Sequence, residues 1–318
     1  MSVTVQKAGI LSTVQDLGRS GYQRFGINAT GAMDRTSVRL LNTLLGNDEN
    51  SAVVEIHFPA GEFLFEHPTF FAVGGGNFTP RLASIEISNW TIYEAKPGDA
   101  LNFARKRFGN RVYLAVAGGL EVTNWLGSSS TNLTAAAGGF DGRRLQAGDR
   151  LSCQGRTAFI NARLGPSLIP SYSSSPTVRV TAGPEYDVLT GRSVENLFSH
   201  QFTITQESNR MGFRLNGPNL QRLYDSEMLS SGTTFGTIQL LPNGQTVVLM
   251  ADHQTTGGYP RIANVIETDL PLLAQLGAGD SVRLELVDLS EAQQRMIDFE
   301  RELAFLRTGL LLRAAEKL

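Results

Sequence analysis

The stretch "TVVLMADHQTTGGYPRIANVI", residues 246–266, joins two apolar runs through eleven residues that carry a carboxylate, an imidazole, an amide, two threonine hydroxyls and a cation. The runs on either side are short, rich in Val and Ile, and bounded by Gly, Asn and Pro, which is the pattern of strands. A strand ending at "VLMA" delivers Asp252 to its C-terminal edge. Thr255, Thr256, Gly257 and Gly258 then offer hydroxyls and unhindered N–H groups, which suit an anionic group. Tyr259-Pro260 stiffens the exit, because proline fixes its own φ and restricts the residue before it. A polar turn with Asp252 as a local cap is the competing reading, and the residues by themselves leave both open.

Working outward, the same pattern recurs in "AVVEIHF", "EFLFE", "FFAVGG", "VYLAVAGG" and "TVRVTAG". Close-spaced turns between such runs favour β-sandwiches or barrels. Three phrases, "KPGDALNF" (96–103), "QAGDRLSC" (146–153) and "GAGDSVRL" (277–284), each place Gly-Asp where a tight turn feeds an alternating strand. "GGGN" at 74–77 reads as another tight turn. Helix signals are few: 33–48 with Gly46-Asn47 as a stop, "ETDLPLLAQL" capped by Thr268 or Asp269, and a C-terminal segment from Ser290 with Gln293 completing a capping box. "LGPSLIPSYSSSPT" at 164–177 lacks periodicity and reads as a linker. The expected organisation is a β-rich subdomain over 1–168, a second over 176–289, and a helix over 290–318.

Composition excludes several classes. The chain has 318 residues, 41% hydrophobic and 18% charged, with a formal charge of -2 and no basic run longer than "RKR" at 105–107. A phosphate-backbone partner needs clustered cations, so no nucleic-acid role is expected. No apolar run approaches the roughly 20 residues that span a bilayer. The single Cys153 excludes an intrachain disulfide and reads as a half-buried strand thiol. The first residues show no basic region followed by an apolar one, so the chain reads as cytosolic, and the N-x-[ST] triplets at Asn28, Asn77, Asn89 and Asn132 as chance matches. The four histidines show no metal-ligand spacing, and no resident metal site is expected.

Three segments are unusually dense in polar groups. The first, 12–34, holds Gln15, Asp16, Arg19, Arg24 and Asp34 among glycines. A structural loop in which Asp16 pairs with Arg19 is its bland reading. The second, "ESNRMGFRLNGP" at 207–218, offers Asn209 and Arg210, where Arg210 can clamp a carboxylate or phosphate or make a structural ion pair. The third is the opening stretch.

These blocks occur in order with "YLAVAGGLEVTNWLGSSST" and "EMLSSGTTFGTIQLLPNG", and together they resemble the biotin-dependent carboxyltransferase / allophanate hydrolase subunit 2 family, whose stand-alone bacterial members are the C subunits of 5-oxoprolinases. The T-V-Q-D-x-G-R and Q-T-T-G-G-Y-P blocks are the most specific, and the resemblance spans about residues 8–287. It implies a mainly β fold of two cyclophilin-like β-barrel subdomains with a few short helices and the C-terminal helix. It also implies action with the 5-oxoprolinase subunits B and A to open 5-oxoproline (pyroglutamate) to L-glutamate with ATP hydrolysis, this chain being inactive alone. ATP and Mg²⁺ are expected in the assembled complex. Under that reading Asp16, Asp34, Asp252 and Arg210 are the candidate catalytic residues. Gln15, Arg19, Asn209, Gln254, Thr255, Thr256, Gly257, Gly258 and Arg261 are the candidates for substrate and phosphate. The carboxylates would hold Mg²⁺, the guanidinium groups would balance phosphate charge, and the Thr255–Gly258 loop would serve a developing oxyanion. Two alternatives accompany it. One is a carboxyltransferase component of a urea carboxylase-like system, in which biotin sits on a separate carrier because no Met-Lys-Met occurs here. The other is a regulatory protein that binds a kinase inhibitor related to the B subunit.

Overall fold

The computed structural model describes residues 1–155, 161–224 and 228–315. The fold is mainly β, with four α-helices among the described residues, and its contacts divide into two compact units. The first takes in Met1–Arg19, Asp34–Ser171 and Glu300–Leu318; the second takes in Ser20–Met33 and Tyr172–Phe299. Contiguous subdomains over 1–168 and 176–289 would leave Ser20–Met33 with the first half, and a C-terminal helix over 290–318 would stand alone. Instead that stretch groups with the second unit, and the division falls inside the C-terminal helix, Leu289–Ala315.

The first unit contains a seven-stranded and a five-stranded sheet. The larger places Ser2–Lys7 between Arg150–Cys153 and Glu62–Phe65; the smaller centres on Phe108–Val116, flanked by Val53–His57 and Thr69–Asn77. Side chains of period two from both sheets meet in one apolar cluster that includes Val3, Val5, Val54, Ile56, Phe63 and Phe71. Arg150–Cys153 shows the alternation plainly, with Leu151 and Cys153 buried while Arg150 and Ser152 are exposed. The Cys153 thiol is thus wholly buried, not half-buried, and burial pushes its pKa up.

The three Gly-Asp phrases fold alike. Gly98, Gly148 and Gly279 have φ of 91°, 92° and 90°, the left-handed region a tight turn demands here. In each, the following aspartate carboxylate accepts from the N–H three residues back: Asp99 from Lys96 at 2.8 Å, Asp149 from Gln146 at 2.7 Å, Asp280 from Gly277 at 2.8 Å. The "GGGN" stretch is not a turn; it lies inside the strand Thr69–Asn77. Gly74 is needed for packing, since a Cβ there would lie 2.6 Å from the indole of Trp90.

The second unit is a closed barrel. Thr177–Ala182 pairs with Arg261–Val265, followed around the wall by Thr237–Leu240, Thr246–Leu249, Gly212–Asn216, Gln201–Ile204 and Ser281–Leu286. Ser281–Leu286 closes the barrel by pairing in parallel with Thr177–Ala182. Val178, Val180, Phe213, Leu215, Ile238, Leu240, Val248 and Ile262 point inward and form its core. Closure leaves these strands no free edge.

The helix Arg35–Leu44 is capped by Asp34, whose Oδ1 accepts from the Ser37 N–H at 2.8 Å. It ends at Gly46, φ 66°, where the Asn47 N–H returns to the Asn42 carbonyl and the Gly46 N–H to that of Thr43. The C-terminal helix starts at Leu289, and Asp288 serves its first turn by accepting from the Glu291 N–H at 2.7 Å. A longer-reaching carboxylate thus supplants the Ser290 cap expected from sequence. Asp269 departs from its expected capping role as well: its carboxylate takes Nε and Nη2 of Arg179 at 2.8 and 2.6 Å.

Candidate functional site

In the first unit Asp16 is 2% exposed and its carboxylate is saturated by local donors. Oδ1 accepts from the Gly18 N–H and from the hydroxyls of Ser128 and Ser130, and Oδ2 accepts from the Ser129 N–H, all within 2.5–2.7 Å. Arg19 donates from Nη2 to the Ser130 carbonyl at 2.7 Å and stacks 4.7 Å from the Trp125 ring centroid. Gln15 donates to Thr13 Oγ1 at 3.0 Å and to the Thr131 carbonyl at 3.3 Å. Gln15, Asp16 and Arg19 are therefore brought together, around the 128–131 loop. The carboxylate that sequence nominated for chemistry holds two loops to each other.

Asp34 gives both carboxylate oxygens to Ser37, one to its N–H and one to its hydroxyl. Its own N–H donates to the Tyr113 hydroxyl at 2.9 Å, and that hydroxyl donates to Glu55 Oε2 at 2.8 Å. Burial, reinforced by the Glu55 charge, holds the Tyr113 phenol well above its usual pKa, so it stays a donor. Sequence reading missed Glu55 and Tyr113, although a lone glutamate inside "AVVEIHF" is the visible signal of a buried, partnered carboxylate.

In the second unit Arg210 and Asp252 form a two-point ion pair, Nε to Oδ2 at 2.8 Å and Nη2 to Oδ1 at 3.0 Å. The same Nη2 donates to the Gly31 carbonyl at 2.6 Å, and the Asn28 amide donates to the Asp252 carbonyl at 3.1 Å. Arg261 is likewise engaged: Glu185 takes its Nε and Nη2 at 2.9 and 2.7 Å, and Nη1 donates to the Gly232 carbonyl at 2.8 Å. The guanidinium beside Glu185 holds that carboxyl below the usual carboxylate range.

The loop between these two pairs is built in layers. His253 is 1% exposed, its ring Nδ1 2.7 Å from the Gln254 carbonyl, which also accepts from the Thr233 hydroxyl. Thr256–Gly257 then pairs with Ser231–Gly232 as a two-stranded ribbon, with Thr256, Gly258 and Tyr259 exposed and Thr255 and Gly257 half-buried. Below the ribbon is a cleft of about 260 Å³ on the outer barrel wall. Asn209, Arg214, Gln239, Leu249, Gln254 and Tyr259 are among the residues that line it. Asn209 and Gln254, nominated separately from sequence, thus face one space. Gln239 was missed; its signal is a single amide inside the apolar run "TIQLL".

No cluster of three or more His, Cys, Asp or Glu side chains that could hold a metal occurs among the described residues. No helix among them is long and apolar enough to cross a membrane.

A family model described as "Carboxyltransferase domain, subdomain A and B" matches residues 25–286. The C subunit of the 5-oxoprolinase of Haemophilus influenzae is 38% identical over 281 residues, covering 88% of this chain and 90% of that protein. The C subunit of the 5-oxoprolinase of Escherichia coli K12 is also 38% identical, over 298 residues, covering 93% of this chain and 94% of that one. The crystal structure of Kluyveromyces lactis urea carboxylase superposes with a TM-score of 0.89 at 29% identity, covering 96% of this chain and 29% of that larger chain. By the family model and by 38% identity over nearly the full length of those two bacterial proteins, the chain belongs to the biotin-dependent carboxyltransferase family that includes the C subunits of 5-oxoprolinases.

Proposed function

We propose that this chain is the C subunit of an ATP-dependent 5-oxoprolinase that opens 5-oxoproline to L-glutamate together with the A and B subunits, and that it is inactive alone. The observation that carries the reading is the alignment with two such subunits over 90% and 94% of their lengths. Amide resonance protects a lactam carbonyl from water, and phosphorylation of its oxygen by ATP is the activation this reading invokes. Within their units Asp16 and Asp34 are occupied by hydrogen bonds and Asp252 is paired with Arg210, which supports placing Mg-ATP elsewhere than on these three aspartates. The nucleotide therefore falls to a partner protein in this scheme. This chain's part is to hold and orient the lactam, with Asn209 and Gln254 at the cleft as its exposed polar groups. Purified complexes with and without this chain test the reading through glutamate release; turnover undiminished by its omission would end it.

The likeness to urea carboxylase favours one other reading, a carboxyltransferase component that moves a carboxyl group between biotin on a separate carrier and urea. Urea-dependent decarboxylation of a carboxybiotin carrier by this chain would establish it in place of the first.

A further inference from the structure

The C-terminal helix Leu289–Ala315 has two apolar faces over its second half, and only one of them is covered. At 3.6 residues per turn Leu303, Leu306 and Leu310 share one side, where Leu303 is buried and the other two are half-buried. Ion pairs within the first unit pin that side down. Glu300 takes Nη1 and Nη2 of Arg39 at 2.7 and 2.8 Å, and Arg307 pairs with Glu49, which also takes Nε of Arg39 at 2.7 Å. The helix is thereby kept from turning about its axis, and Ala304, Phe305, Thr308, Leu311, Leu312 and Ala315 are held outward. Phe305, Leu311 and Leu312 are 71%, 66% and 63% exposed, and Ile297, two turns before Ala304 on the same stripe, is 52% exposed. A single exposed leucine is ordinary, but four large apolar side chains along one stripe mark a contact surface.

We propose that this stripe joins two copies of the chain through an antiparallel pair of C-terminal helices. Charge selects both the occupant and its direction. The turn "DFERE", 298–302, carries three carboxylates against one guanidinium, a formal -2, whereas Arg307 and Arg313 are the only charges from 303 to 315, a formal +2. Antiparallel copies set each acidic half against a basic half, and parallel copies would set like against like. One helix supplies both complements, so the face fits itself, as a two-fold interface requires. Glu300 and Arg307 are committed within the chain, so Asp298, Glu302 and Arg313 carry the contact between copies. A pair centred near Leu306 sets Asp298 beside Arg313 of the second copy, and the same register brings Ala304 against that copy's Thr308 and Ile297 against its Ala315. Small side chains at the centre let the two axes come close, and Phe305 and Leu312 then close over the seam. Residues 297–315 span about 28 Å of helix. One stripe of that length buries less than the roughly 1,600 Å² of a standard interface, so a reversible, micromolar dimer is expected.

The test is sedimentation equilibrium of the full chain from low micromolar to millimolar concentration. A monomer–dimer equilibrium is expected, with a dissociation constant that rises at least about tenfold when Phe305→Glu and Leu312→Glu are combined. Asp298→Arg or Arg313→Glu alone puts like charges at both symmetry-related pairs and should weaken association at least about fivefold. The two reversals in one chain restore it, which neither a parallel pair nor a different partner would do. Mixing Ala304→Cys with Thr308→Cys should yield the mixed disulfide in preference to either homodimer, and Cys153, being buried, does not compete. Every substituted side chain is exposed, so these variants report association and not folding. A dimer unmoved by the glutamate variants overturns the proposal, as does one that the double charge reversal fails to restore. So does a chain that stays monomeric throughout, including one that loses a different protein partner with Phe305→Glu and Leu312→Glu, which would give the stripe to that protein.

Discussion

Arg210 and Asp252 lie 42 residues apart and meet through two hydrogen bonds of 2.8 and 3.0 Å, with side chains only 10% and 15% exposed. A third bond from the same guanidinium, to the Gly31 carbonyl, ties the 20–33 stretch to this pair within the second unit. Two loops chosen from sequence as catalytic candidates are thus one structural clamp. Removing one member of a buried pair strands the other charge, at a cost of about 3–5 kcal/mol. Arg210→Ala is expected to lose roughly that much in chemical denaturation. Arg210→Lys, which cannot form the fork, should lose an intermediate amount. A loss below about 1 kcal/mol for the alanine variant would mark the pair as a surface-like contact.

Asp16 offers a second separation of structure from chemistry. Four donors converge on its carboxylate, so Asp16→Asn replaces an acceptor with a donor facing donors. Each frustrated buried group costs about 1–3 kcal/mol. The expected outcome is a large drop in melting temperature and increased proteolysis near the 128–131 loop. Unchanged stability with lost turnover would instead make Asp16 a chemical participant.

At Asp34, serine is the informative replacement. It keeps the N-cap hydrogen bond that alanine loses at a cost of about 0.5–2 kcal/mol. Asp34→Ser is expected to be the more stable of the two and to retain turnover in the assembled complex. Abolished turnover in a folded Asp34→Ser would show that the carboxylate does more than cap.

How much of this was legible follows from how local each feature is. The three Gly-Asp turns repeat one local geometry down to the aspartate hydrogen bond, because four adjacent residues determine it. The helix over Arg35–Leu44 was legible for the same reason, its apolar spacing and its Gly46-Asn47 stop being local, although Asp34 was read as catalytic and not as its cap. The helix Gly191–Ser199 went unread: it has only Ser193 and Leu197 buried, so its apolar periodicity is short. The glycine-rich strand misled because glycine marks a turn unless something packs on it, and Trp90 is sixteen residues away from Gly74. The candidate site was half legible. Polar density found Asn209, Arg210, Asp252 and Gln254, but not which were already committed to partners such as Glu185, which is remote in sequence from Arg261. Gln239 escaped because its burial depends on the ribbon that covers it.

The Glu185–Arg261 pair makes a pH prediction. The hydrogen bond from Arg261 lowers the Glu185 pKa in the folded state below the ordinary 4.5. A depressed carboxylate contributes stability that is complete above its unfolded value and is lost as pH falls through its folded one. The gap in melting temperature between the unaltered chain and Glu185→Gln should therefore be widest near neutrality and close as the pH drops below 4.5. A gap that stays constant across that range would mean the charge on Glu185 is not what stabilises the pair.

Glutamate release from 5-oxoproline and Mg-ATP, by this chain copurified with the A and B subunits proposed as its partners, tests the 5-oxoprolinase reading most sharply. Turnover is expected to disappear when this chain is left out and to return when it is added back. A stable three-protein complex that releases no glutamate, or one whose turnover does not depend on this chain, would contradict it.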